Sequence, residues 1–170
     1  MRKIIFILFI LFSFLQVGAA MDTTVNFDNQ VYNLSNPQSE NERYVYLLEG
    51  EDTLNWTSQL VREHIVESVN PTEAAAELAY KIQAANPGAS VLVYPEAATI
   101  GYLTFPNDKR YYEYGVFTFK PNGGLGLQKL NFAKRFYTSE FESVENARQA
   151  SIEFAELNNK KFMEMINQGF

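Results

Sequence analysis

The residues best suited to chemistry are few in this chain. It has a single histidine, His64, and no cysteine. A Ser-His-Asp arrangement would have to be built around His64, and no G-x-S-x-G turn supplies the serine. A lone histidine between Glu63 and Ile65 is more often an ordinary packed or surface residue. Zinc sites want several His or Cys ligands, and Glu49-Gly50-Glu51-Asp52 lacks the ligand spacing of a calcium loop, so no metal and no cofactor is expected. The glycines of Pro121-Asn122-Gly123-Gly124-Leu125-Gly126 have no helix behind them and no Lys-Ser/Thr pair, which suits a hairpin rather than a phosphate cradle.

Two weak catalytic candidates remain, Glu113 and His64. Glu113 lies among Tyr111, Tyr112 and Tyr114. On a strand it would meet Arg135 of a neighbouring strand and be satisfied as a cross-strand ion pair. In an apolar cleft its pKa would instead rise and fit it for general-acid work, with Glu96 or Glu49 as partner. The aromatic content is more suggestive, with ten Tyr and fourteen Phe. Tyrosine offers a flat apolar face and a polar tip, which suits binding of peptides, sugars or proteins. Tyr102, Tyr112, Tyr114 and the sole tryptophan, Trp56, are the candidate ligand-binding residues.

These residues need elements to position them. The first twenty residues read as a signal peptide: Arg2 and Lys3, an apolar run from Ile4 to Leu15, then small residues at Gly18-Ala19-Ala20. The run is short for a membrane span. The expectation is therefore an exported protein, periplasmic or secreted, starting near Ala20 or Met21 with no integral membrane segment after processing. Residues 21–42 read as a polar arm with a short extended piece at Gln30 to Leu34, and residues 43–170 as one α+β domain.

Tyr44 to Asp52 gives a strand and an acidic turn. The stretch NWTSQLVREHIVE from Asn55 fits a helix, with Trp56, Leu60, Val61, Ile65 and Val69 on a stripe, or a central strand with apolar groups on both faces. Its context favours the strand, since an α+β sheet needs a partner between Tyr44 to Leu48 and the later hairpins. Thr72 opens an alanine-rich helix, with Thr72 as N-cap or first-turn residue, stopped by Asn86-Pro87-Gly88. Its face Ala75, Leu78, Ala79 and Ile82 should lie on a sheet. Strands follow at Ser90 to Tyr94, Ala98 to Phe105, Tyr111 to Lys120 and Leu127 to Tyr137. Ser143 caps a C-terminal helix whose stripe reads Ala147, Ala150, Phe154 and Leu157. The sum is an antiparallel sheet of five or six strands with one inserted helix and a long C-terminal helix packed on it.

The N-W-T stretch, the alanine-rich helix, the glutamate strand YYEYGVF and the strand LNFAKRFY together resemble uncharacterised small exported proteins of Gram-negative bacteria. More loosely, the element order is similar to the Mog1/PsbP-like α/β fold. The resemblance implies a fold and no activity, and the chain lacks the paired cysteines of some such proteins.

The net charge of −6 repels phosphate backbones and anionic lipids, so nucleic acid is not an expected partner. The expected function is a non-catalytic binding or interaction module that holds a protein, peptide or small-molecule ligand on an aromatic sheet surface or cleft. A carboxylate-dependent hydrolase and a structural subunit of an envelope assembly are the alternatives.

Overall fold

The computed structural model describes residues 22–36, 42–66, 70–123 and 126–170. The leader expected at 1–20, Val69 of the tryptophan stretch and Gly124-Leu125 of the glycine turn lie outside them.

The chain forms one antiparallel sheet with a helix on each face. Its strands are β1 (Thr24–Phe27), β2 (Gln30–Leu34), β3 (Arg43–Leu47), β4 (Ser58–Ile65), β5 (Ser90–Tyr94), β6 (Thr99–Thr104), β7 (Tyr111–Pro121) and β8 (Leu127–Tyr137). Helix α1 spans Pro71–Ala85 and α2 spans Val144–Gln168. The strand order is β1-β2-β3-β4-β8-β7-β6-β5. Two four-strand meanders thus meet where β4 pairs with β8.

Between the meanders the chain must travel from the middle of the sheet to its far edge. A helix of 15 residues rises about 22 Å at about 1.5 Å per residue. That matches the roughly 19 Å occupied by the strands it crosses, at about 4.8 Å per strand. Asn70 caps this helix by accepting from the Thr72 amide, and Pro71 takes the first helical position. Thr72 is therefore a first-turn residue, and the cap is the asparagine whose backbone proline already holds extended.

The sheet has eight strands rather than five or six. The two extra strands come from the stretch read as a polar arm, whose extended piece at Gln30 to Leu34 is β2 and gains β1 as its partner. Asp28 and Asn29 both adopt left-handed backbone, with φ of 50° and 60°, in the two-residue turn geometry that closes a tight hairpin. Val25, Phe27 and Tyr32 then point inward and are buried. The residues around them are polar because each strand of this hairpin shows its other side to water.

The tryptophan stretch forms strand β4, between β3 and β8. Leu60 is buried against the α2 face and Val61 against the other, as a central strand requires. Leu54 and Val66, beyond its ends, are exposed.

Helix α2 covers the face made by Tyr112, Tyr114, Val116, Leu130, Phe132 and Phe136. Ser143 caps it, accepting from the Asn146 amide. Its inward stripe runs through Ala147, Ser151, Phe162 and Ile166, all buried. Leu157, expected on that stripe, is 82% exposed. The inward positions beside it are instead Asn158 and Asn159, both partly buried. At its far end the Asn167 carboxamide accepts from Thr118 Oγ1 at 2.7 Å, and Thr118 in turn accepts from Thr99 Oγ1 at 3.0 Å. The Lys120 ammonium meets the Asn167 carbonyl there, where the helix dipole favours a cation.

The opposite face is covered in two parts. Ala75 and Ala79 of α1 pack on Ile100, Phe119 and Leu127. Trp56, in the loop before β4, packs on Val45, Leu47, Val61 and Ala133.

Candidate functional site

Cross-strand register places Glu113 directly opposite Arg135. Arg135 Nε donates to Glu113 Oε2 at 3.0 Å, and the Tyr102 hydroxyl donates to Glu113 Oε1 at 2.9 Å. Both carboxylate oxygens are thereby engaged. The Arg135 guanidinium lies between two aromatic rings, 3.8 Å from the Trp56 centroid and 4.2 Å from that of Tyr111. Tyr137 closes the cluster by donating to the Trp56 carbonyl at 2.9 Å. The sandwich pins a loop to the sheet and satisfies a largely buried charge.

The other carboxylates expected near Glu113 are elsewhere. Glu96 sits in the 3-10 turn Pro95–Ala97 that leads into the start of β6, whereas Glu113 pairs with Thr104 at its end. Glu49 lies in the turn after β3. His64 is on β4, its Nδ1 paired with the Glu42 carboxylate. The structure does not bring His64 and Glu113 together: their strands are separated by β8 and their side chains fall on opposite faces. Among the described residues no group of three or more His, Cys, Asp or Glu could hold a metal ion.

None of the four expected ligand-binding aromatics presents its ring to solvent. Tyr112 packs edge-on against Phe105, and Trp56 lies under Arg135. The Tyr102 ring stacks on Phe117 and lies across Gly115, where an added Cβ would overlap it. Tyr114 is 1% exposed and packs against Phe154 and Phe162. Burial pushes the Tyr102 and Tyr114 hydroxyls well above the usual tyrosine range, and for Tyr102 the Glu113 carboxylate adds to the rise. The four do not share one surface: Tyr112 and Tyr114 lie on the α2 face, Tyr102 and Trp56 on the other, and both faces are covered.

An open concavity lies on the α2 face, where the helix leaves β5 partly uncovered beside the buried β6. Leu92, Gly101 and Leu103 form its floor, and Arg148, Ile152, Ala155, Glu156 and Asn159 of α2 form its wall, around a hollow of about 460 Å³. Tyr102 contributes main chain here, since its ring is on the other face. Asn159 is the polar centre: its Oδ1 accepts from the Tyr114 hydroxyl at 3.2 Å and its Nδ2 donates to the Tyr94 hydroxyl at 3.0 Å. It reaches the sheet because position 101 is glycine, where an added Cβ would stand 2.6 Å from Asn159 Oδ1. Arg148 closes one end, its guanidinium 5.3 Å from the Phe105 ring centroid and 3.2 Å from Glu145 Oε1. A pocket with apolar walls and a few convergent polar groups is what ligand sites share.

Sequence reasoning missed Asn159 and Gly101. The available signals were paired asparagines within an apolar helical period, and a glycine inside a strand, which often marks the close approach of another group.

Fold and seam together define an α+β protein: an eight-stranded antiparallel sheet between two helices, with an open cleft along one helix. The chain belongs to an uncharacterised protein family, whose model matches residues 19–169. No curated protein and no solved structure matches it at a significant level, and the resemblance to the Mog1/PsbP-like fold is not confirmed. Among the described residues no helix is long and apolar enough to cross a membrane.

Proposed function

We infer that this protein is a binding module whose ligand lies in the seam between α2 and the β5–β6 edge. The observation that carries this reading is the hollow of about 460 Å³, built around the Asn159 carboxamide with the Arg148 guanidinium at one end. Its lining is suited to a ligand with an apolar body and a few hydrogen-bonding groups. The engaged state of Glu113 and the covered positions of Tyr112 and Trp56 direct attention to this cleft and away from an open aromatic surface.

An apolar fluorescent probe such as N-phenyl-1-naphthylamine tests the reading. It is expected to bind the native protein saturably, and Ile152→Arg, which places a charge on the apolar wall, should weaken binding about tenfold or more. Equal binding by the variant, with the fold intact by circular dichroism, would contradict it.

The module acts outside the cytoplasm. This part of the reading is supported by the leader-like first twenty residues. Mass spectrometry of protein purified from its native host should give an N-terminus near Ala20 or Met21, and a mature product retaining Met1 would count against it.

A further inference from the structure

We propose that the occupant of this seam is an extended peptide strand of another protein, which pairs with the free edge of β5 and lays alternate side chains into the cleft. The proposal rests on the seam being a binding site and specifies its ligand.

Strand β5 ends the sheet order, so alternate N–H and C=O groups along it face outward. Natural edges are normally blunted by charge, proline or a bulge. Ser90-Val91-Leu92-Val93-Tyr94 carries no charge and no proline. Leu92 and Val93, on opposite faces, are 52% and 41% exposed. The other edge, β1, has only four residues and is flanked by Asp22 and Asp28.

The cleft has the shape of an extended ligand. Beyond the first hollow, a second of about 550 Å³ continues along α2 past Tyr94 to Asn167. The Asn159–Tyr94 hydrogen bond lies between them. A compact molecule fills one hollow. A strand rising about 3.3 Å per residue runs beside all five residues of β5, over about 17 Å, and passes both. Main-chain pairing then supplies affinity, and the pockets beside alternate residues supply selectivity.

Charge sets the preferred direction. Arg148 stands at the Ser90 end, 3.2 Å from Glu145, whereas Glu156 lies two turns further along α2 and the hollow at the Tyr94 end is lined by Glu164 and by Lys160, 3.9 Å apart, so the carboxylates outnumber the cations toward the Tyr94 end. A strand antiparallel to β5 enters at the Tyr94 end and leaves at the Ser90 end. The fitting peptide therefore has apolar residues at alternate positions, a basic residue near its start and an acidic one near its end.

Fluorescence anisotropy with the purified protein tests this. The probes are a labelled peptide alternating threonine with valine or leucine, with lysine first and glutamate last, and the same peptide with its central threonine replaced by proline. The native protein should bind the first saturably and the proline form at least about tenfold more weakly. Leu92→Lys, at an exposed position, should reduce binding of the first peptide by a similar factor. Equal binding of both peptides would overturn strand pairing. Binding of the naphthylamine probe without the peptide would overturn this proposal and leave the binding-module reading standing, whereas failure of both ligands would remove both. Light scattering that shows a native dimer converted to monomer by Leu92→Lys would assign the edge to a second copy of the chain, and the proposal would fall.

Discussion

Arg135 is the residue on which the Trp56 side of the molecule depends. Its charge is matched by Glu113, and its guanidinium plane is held between Trp56 and Tyr111. The two charged side chains are 16% and 18% exposed, so solvent screens them only in part. Arg135→Ala should destabilise the fold by about 2–4 kcal/mol, because it leaves Glu113 largely buried without its cation. It should also alter the emission of the sole tryptophan. Urea unfolding followed through Trp56 checks both, and an unchanged midpoint would refute the role given to the sandwich. The tyrosines give a pH dependence. Burial pushes the Tyr32 hydroxyl up to about 12 from an ordinary value of 10.0, and Tyr102 and Tyr114 rise for the same reason. The fold thus favours the neutral phenol, while an unfolded chain releases the proton nearer 10. Stability from Tyr32 is fully present below pH 10 and is lost as pH climbs toward 12. Tyr32→Phe should flatten the stability profile over that interval; an unaltered slope would contradict the assignment. At this scale the sequence was partly legible. Alternation along two strands was enough to set Glu113 against Arg135, but which hydroxyl would reach the second carboxylate oxygen depended on a third strand.

Helices and strands here approach one another through glycine. Gly115 leaves room for the Tyr102 ring, itself held by Phe117 and Glu113. Gly115→Ala should therefore cost about 1–3 kcal/mol, since the ring has little freedom to move. Gly88, in the turn after α1, has open space around it and no left-handed backbone. Gly88→Ala should be neutral or mildly stabilising. Thermal unfolding of the two variants side by side checks the contrast, and similar losses in both would contradict it. The two helices and the strands from β5 onward were legible because their periods are strong and proline or glycine separates them, whereas β4 fitted either period and only its context marked it as a strand. Of the β1–β2 hairpin, β2 was legible as the extended piece at Gln30 to Leu34, whereas β1 was hidden by composition: the hairpin's inward residues are only Val25, Phe27 and Tyr32, set among polar neighbours, and the Asp28-Asn29 turn lacks the usual glycine. Leu157 misled for the opposite reason. Its hydrophobicity suggested an inward position, whereas the geometry of a 25-residue helix turns Asn158 and Asn159 toward the sheet.

Across the whole molecule, α1 carries the chain to the far edge of the sheet, and β5 to β8 bring it back to the centre. Helix α2 then crosses the other face, meeting that edge through the Asn159–Tyr94 hydrogen bond and leaving Leu92 beside it exposed. The cleft is the space left over, and its floor and wall come from elements far apart in sequence. No local pattern could announce it, although the fold class and the two-helix, antiparallel architecture were readable from periodicity. The most direct measurement is NMR of the isotope-labelled protein titrated with the apolar naphthylamine probe. Shifts are predicted to concentrate at Leu92, Gly101, Ile152 and Asn159. Shifts centred instead on Trp56, Tyr111 and Arg135 on the opposite face, or no saturable shifts, would contradict the placement of the binding site.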